Sequence, residues 1–316
     1  MVKLTSIVPE SLSGRRLDQV LANLYPQHSR SRLQAWISAG QVTVNNRTLR
    51  QKDPVRTGEQ IEIIPVFSAQ EQCLAEAIPL NILHEDAAIL IINKPPGLVV
   101  HPGAGNPDHT LQNALLFHDA SLAQVSRAGI VQRLDKDTSG IMVIAKTPTA
   151  HTYLVDQLQR RNIKRVYQAV VTGVMTAGGT IEAPIGRHRS LRKRMAVLDR
   201  GKPAVTHYRV LKKYFQHTHI TIHLETGRTH QIRVHLAYIH YPIVGDPVYG
   251  GRKRVPKNIT IELRQALLAF PRQALHASAL ALTHPLSNQE MSWSAPLPAD
   301  FQSLLTILEN NATGRE

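Results

Sequence analysis

Ile130-Val131-Gln132-Arg133-Leu134-Asp135-Lys136-Asp137-Thr138-Ser139-Gly140, continued by Ile141-Met142-Val143-Ile144-Ala145-Lys146-Thr147, is the stretch whose reading decides the fold. Residues 141–145 are a short, apolar, β-branched run next to turn residues, the pattern of a fully buried strand. Thr138-Ser139-Gly140 supplies the turn, so Asp135 is expected on a loop entering a sheet. A carboxylate beside an arginine on a loop braced by a buried strand is a placement used for catalytic groups. An Asp in a turn also serves as a plain backbone cap, and the local pattern does not separate the two.

Other elements extend outward from that strand. Residues 87–92 read as a second buried strand, stopped by Asn93-Lys94 and the Pro95-Pro96-Gly97 turn. After the His101-Pro102-Gly103 loop, Asp108 or Thr110 caps a helix running to about Phe117. Thr147-Pro148 opens another helix, with proline at its first position and Tyr153, Leu154 and Leu158 facing inward. Residues 164–172 alternate as a strand, with Tyr167, Ala169 and Val171 on one face. His217, His219 and His223 share a strand face opposite Ile220, Ile222 and Leu224, and an exposed polar face explains them better than a metal site, since no carboxylate or thiolate joins them. Residues 229–240 read as a helix with Arg233 in its first turns. Residues 279–283 and 290–294 form a hairpin, and 301–308 a terminal helix. Arg233, taken alone, is expected on the surface.

Residues 1–65 read as a separate small unit. Leu17, Val20, Leu21 and Leu24 have helical spacing, and Ser29 is placed to cap a second helix carrying Leu33, Trp36 and Ile37. Gly40 ends it, and strands follow at Val42-Val44 and Ile61-Ile63. Nine Lys and Arg against five acids give this unit +4, which suits an RNA backbone, with Arg15, Arg16, Arg30 and Arg32 as its candidate contacts. Residues 66–77, rich in Ser, Ala, Gln and Glu, are expected to be a linker, and 78–316 the larger domain.

Thirty-seven Lys and Arg against 23 Asp and Glu make the whole chain +14, which calls for a polyanionic partner. The longest apolar runs are too short to span a bilayer, so a cytoplasmic protein without membrane attachment is expected. One cysteine, Cys73, excludes an internal disulfide and a Cys-rich metal site. Between Gly186 and Lys202 lie seven basic residues and one acid, including Arg187, Arg189, Arg192, Lys193 and Arg194. So charged a segment is expected to project as an arm that closes on phosphate.

Four motifs resemble, in order, those of the pseudouridine synthases that modify large-subunit ribosomal RNA. They are Asn93-Lys94-Pro95-Pro96-Gly97 with His101-Pro102-Gly103, the Arg133-Leu134-Asp135 stretch, Lys164 to Gly173, and Glu225-Thr226-Gly227-Arg228-Thr229-His230-Gln231-Ile232-Arg233-Val234-His235. The likeness covers about Ser11 to Leu305, and the N-terminal unit resembles an S4 RNA-binding domain. It departs at Gln132, where the family signature has His; Gln keeps hydrogen-bonding capacity but cannot become cationic. The resemblance implies an α+β fold built on a mixed, mostly antiparallel sheet, and isomerisation of uridine to pseudouridine without a cofactor. It implies Asp135 as the essential carboxylate, nucleophile or ribose base, with Arg233 paired to it and Tyr167 packed on the target base. Arg133 fills the space left by the flipped uridine, while Gln132, Lys94, Pro95, His101 and Ile232 shape or contact the substrate pocket. The partners implied are 23S rRNA and large-subunit particles or their precursors, and a monomer is expected. An RNA-binding or ribosome-assembly protein without activity is the main rival. A glycosidase would need a second opposed acid, which the other motifs lack.

Overall fold

The computed structural model describes residues 3–26, 28, 30–64, 73–103, 105–191, 194–251 and 259–313; the side chains of 31, 32, 312 and 313 also fall outside the description. The Ser29 cap and most of the expected linker lie outside the described residues. The last part of that linker does not hang free. Asn113 Nδ2 donates to Leu74 O at 2.8 Å and Glu76 N donates to Asn113 O at 3.0 Å, tying residues 74–76 to a helix of the larger domain.

The N-terminal unit has β1 (Leu4–Ile7), α1 (Leu17–Leu24), α2 (Arg30–Ser38), β2 (Val42–Val44) and β3 (Gln60–Ile63). Its antiparallel sheet runs β1-β3-β2. Leu17, Val20, Leu21, Leu33, Trp36, Ile61 and Ile63 form a core of their own. Gly40 adopts φ +72 just past α2, the left-handed conformation that glycine meets without strain. The reading of 1–65 lacked β1, a strand of only four residues that alternates between half-buried and exposed.

The larger domain follows the order β4 (Ile82–Glu85), β5 (Ile89–Lys94), α3 (Leu111–His118), β6 (Ser139–Ala145), α4 (Pro148–Gln159) and β7 (Lys164–Thr172). Then come β8 (Gly179–Glu182), β9 (Ile185–Arg187), β10 (Met195–Val197), β11 (Val205–Lys213), β12 (His217–Leu224) and α5 (Gln231–Tyr238). The chain closes with α6 (Ile261–Ala269), β13 (Leu275–Thr283), β14 (Glu290–Ser294) and α7 (Ala299–Thr313). One sheet runs β4-β5-β6-β13-β7-β12-β11-β8, with β14 on β13. Every pairing in it is antiparallel except β6 with β13, so the expected mixed, mostly antiparallel α+β sheet is what forms.

All seven residues of β6 are buried, because the strand is interior to the sheet and covered on both faces. Leu90, Met142 and Ile144 face a core shared with α3, while Ile141, Val143 and Ala145 pack with Ala150 and Leu154 of α4. Truncating such a side chain to alanine costs about 2–5 kcal/mol. Gly140 joins β6 to β13 so closely that a Cβ would sit 2.2 Å from Ala277 O, and its φ of +119 also favours glycine. The Thr-Ser-Gly turn is therefore the hinge by which the Asp135 loop is fixed to the sheet.

Two expectations are overturned. His217 and His219 are buried rather than exposed, while His223 is exposed as expected: His219 Nε2 meets Gln168 Oε1 at 2.9 Å, and its ring lies 5.9 Å from that of Phe301 in α7. Burial holds both rings down to about 4, so they are neutral near pH 7. The basic segment after Gly186 does not simply project. It folds as a two-stranded ribbon, β9 with β10, whose Ile185 is buried against Val234 of α5 with Met195 and Val197 alongside.

Candidate active site

Asp135 is held from three directions. Thr138 N donates to Asp135 O at 3.0 Å, closing the turn. Gln273 Nε2 donates to Thr138 Oγ1 at 3.0 Å, and Arg272 Nη1 donates to Asp137 O at 3.2 Å. From the other side, buried Lys94 donates to Pro95 O, Leu98 O and Lys136 O at 2.8, 2.9 and 3.0 Å. Three carbonyls take the three protons of one ammonium, an arrangement that only the charged form fills. Burial pulls the Lys94 group down to about 7, while Asp137 and Asp135 favour its charged form. Lys94 thus braces the loop from behind; neither it nor exposed Pro95 is among the residues walling the pocket.

Arg233, expected on the surface from local pattern, is 5% exposed. Its Nη1 donates to Asp135 Oδ2 at 2.9 Å, and its Nε and Nη2 grip Asp246 at 2.7 and 2.9 Å. Asp246 in turn accepts the backbone N–H groups of Val248 and Tyr249 at 2.8 and 2.9 Å. Burial raises the Asp246 carboxyl, but the bonds and charge of Arg233 and those two amides outweigh it and keep it below its usual range. For Arg233 burial works against the charge, and the two carboxylates overcome it, raising its pKa. The outcome is a carboxylate–guanidinium–carboxylate row: Asp246 fixes the fork through Nε and Nη2, and an Nη1 N–H is aimed at Asp135.

His230 opens α5 in the left-handed conformation, φ +56. A non-glycine residue there is strained, and such strain concentrates at functional sites. Tyr249 Oη accepts the N–H of Met195 at 2.8 Å and lies 2.8 Å from His230 Nδ1. The other ring nitrogen, Nε2, lies 3.8 Å from Asp135 Oδ1. Burial lowers the His230 pKa; Asp135 and Asp246 oppose this, while Arg233 and Arg133 reinforce it.

These groups stand in a pocket of about 580 Å³. Asp135, Arg233, Tyr167, Arg133, Gln132, His101 and Ile232 all line it, seven residues brought together from four motifs. Tyr167 is buried, and burial raises its phenol, with Asp135 adding to the rise and Arg165 opposing it. Burial and the charges of Arg127 and Arg133 push His101 down to about 4, so it is neutral, and its Nε2 is buried without a partner. Arg133 is exposed at the mouth. Among the described residues no group of three His, Cys, Asp or Glu is arranged to hold a metal.

Sequence reasoning had no role for Asp246, Tyr249, His230 or Arg165. His230 and Arg165 stood inside quoted motifs without one. Asp246 carries no periodic signal; its only mark is an acid between Gly245 and Pro247, which reads as a turn.

The candidate RNA contacts divide. Arg15 is exposed, but Arg16 and Arg30 both pair with the buried Asp18, at 3.0 and 2.7 Å. Arg187 and Arg189 are exposed on the ribbon, whereas Arg194 lies over the Tyr249 ring, 5.5 Å from its centroid. Arg192, Lys193 and the Arg32 side chain lie outside the described residues.

A mixed sheet carrying an Asp–Arg pair in a deep pocket, preceded by a small basic unit, defines the class. Residues 88–238 match the RNA pseudouridylate synthase model and residues 15–61 the S4 domain. The chain belongs to the RNA pseudouridylate synthase family and is accordingly an isomerase acting on RNA. Its curated relatives include ribosomal large subunit pseudouridine synthase D of Pseudomonas aeruginosa, 55% identical over 98% of this chain and 97% of that one. The protein of the same name from Escherichia coli is 53% identical, covering 97% and 94%. Among solved structures, human RNA pseudouridylate synthase domain containing 4 is 27% identical with a TM-score of 0.57, over 72% of this chain and 93% of that one.

Proposed function

We propose that this protein isomerises particular uridines of 23S ribosomal RNA to pseudouridine, with Asp135 as the carboxylate that acts on the ribose. The observation carrying this reading is the Arg233 bridge: a guanidinium locked by Asp246 through Nε and Nη2 presents Nη1 to Asp135 at 2.9 Å inside the pocket. Attack on C1′ and removal of the C2′ proton both use the carboxylate of Asp135, and the guanidinium holds that group in place. Tyr167 forms the wall on which the uracil packs. Reaching this depth requires the uridine to leave its stack, at a cost of a few kcal/mol, and Arg133 at the mouth occupies the vacated space. Gln132, His101 and Ile232 contact the flipped nucleotide, while Lys94 and Pro95 act by bracing the Asp135 loop. The division of labour is residues 1–65 for RNA attachment, a connection through 66–77, and 78–316 for chemistry, working as a monomer on large-subunit particles or precursors in the cytoplasm. Arg15 and, in the basic segment after Gly186, Arg187, Arg189, Arg192, Lys193 and Arg194 hold phosphate. The names of the full-length relatives support the ribosomal substrate.

Asp135→Asn tests the reading, since the amide keeps the shape and removes the charge. Tritium release from 23S rRNA labelled at uridine C5 is expected to fall below a hundredth of the natural rate, a barrier increase above about 2.7 kcal/mol, with filter-binding affinity unchanged. Turnover above that level would remove Asp135 from the centre of the mechanism.

A further inference from the structure

Arg165 and Tyr167 stand two residues apart on β7, and both line the pocket. Residues i and i+2 of a strand share a face, so the guanidinium is beside the ring on which the uracil packs. Arg165 is 9% exposed, and its Nε is buried with no hydrogen-bond partner. No carboxylate pairs with it among the described residues, whereas the other buried arginines are paired: Arg233 with Asp135 and Asp246, and Arg272 with Asp300. Gly227, in the turn before α5, leaves room for it; a Cβ there would stand 2.9 Å from Arg165 Nη1. A buried cation lacking its counter-charge is costly, and persists where the fold reserves it for a ligand that brings one. His101 Nε2, equally buried and unpartnered, lines the same pocket.

The reaction proposed above generates that counter-charge. When the C1′–N1 bond breaks, its electron pair stays on N1, and the detached uracil carries one negative charge spread over N1, O2 and O4. The charge disappears when C5 bonds to C1′ and the C5 proton is lost as N1 gains one, so uridine and pseudouridine remain isomers. We propose that Arg165 is a catalytic residue that holds the departing uracil, its guanidinium facing the O2 or O4 oxygen while Tyr167 packs on the ring. A preorganised donor in a water-poor site acts on the developing charge far more than on the neutral base, so it lowers the barrier without tightening substrate binding.

The test rests on the pseudouridine reading and is kept distinct from it: absence of C5 tritium release by the natural full-length protein would defeat that reading, not this one. With release established, Arg165→Met and Arg165→Lys are compared in single turnover on a tritiated 23S rRNA transcript, alongside filter binding across salt concentrations and thermal melting. Arg165→Met is expected to lose about 100-fold in rate, with affinity and salt slope unchanged and melting no lower than natural, because an uncompensated buried charge is removed. Arg165→Lys, which keeps the charge, is expected to retain at least about a tenth of the natural rate. A natural rate in the Met variant overturns the proposal, as does equal loss in both variants or a lowered melting point. A weaker affinity with the salt slope reduced by about 0.7 also overturns it, marking Arg165 as a phosphate contact.

Discussion

Arginine is put to opposite uses in the two halves of this molecule. In the N-terminal unit Arg16 and Arg30 converge on the buried Asp18, which also accepts Gln34 Nε2 at 2.9 Å; part of the positive charge counted in the sequence is spent on a local bond. In the pocket Arg233 is saturated by two carboxylates, while Arg165 has none. Net charge therefore overstates the surface available to phosphate in one half and conceals an unused cation in the other. An arginine is informative through its carboxylates: one satisfied by a buried acid holds the fold, and one left bare in a pocket faces the substrate.

The sharpest way to break this contrast is to remove the acid that clamps Arg233. Asp246→Asn puts amide protons against the guanidinium, and leaving a buried charge half-paired costs about 3–5 kcal/mol. Activity should fall at least about 100-fold even where the variant is fully folded, since the fork aimed at Asp135 loses its anchor; urea melts paired with single-turnover rates check both. A folded Asp246→Asn protein with natural turnover would show that the row is structural only.

A smaller effect is expected at Asp18. Burial raises its carboxyl, but the bonds from Arg30, Gln34 and Arg16 prevail and bring it down to about 2. A carboxyl whose folded pKa lies below its unfolded value of roughly 3.9 contributes stability that is complete above pH 4 and disappears as pH falls toward 2. Asp18→Asn should cost about 1–2 kcal/mol at neutral pH, the modest figure reflecting arginines that are half exposed and screened. Between pH 4 and 2 the variant should lose less stability than the natural protein, by the share that Asp18 contributes. Trp36 in the N-terminal core gives the fluorescence signal.

The smallest change belongs to Gln132→His. Gln132 lines the pocket but touches neither arginine–carboxylate set, so turnover should move by less than about tenfold, or roughly 1.4 kcal/mol. A much larger gain would mean that the natural residue holds the enzyme back.

Local pattern sufficed where a residue's neighbours in sequence are also what defines it. β7 spans the expected 164–172, and Thr147 caps α4 with Pro148 at its first turn. The quoted motifs brought Asp135, Tyr167 and Arg233 forward, and the fold gathers all three in one pocket. What escaped was set by distant partners. Alternation places His217 and His219 on one face but says nothing of Phe301 in α7, some eighty residues later, that packs beside His219. The ribbon's charge suggested a projecting arm because the apolar residues that seat it, Ile185, Met195 and Val197, are separated by the basic tip. Asp246 acquires meaning only from Arg233, thirteen residues away and reached by packing rather than by period.

The parallel pairing of β6 with β13 carries a consequence for the order of assembly. The N-terminal unit is complete within residues 4–63, so its hydrogen bonds close as soon as that segment is free of the ribosome making it. β6 must wait for β13, whose last residue is 138 positions beyond its own, Ala145 to Thr283. At roughly 5–20 residues per second, that is a delay of about 7–28 s during which a mostly apolar strand has β5 on one edge and nothing yet on the other. The RNA-attachment unit thus matures first, and the Asp135 loop acquires its final geometry only when the C-terminal hairpin arrives.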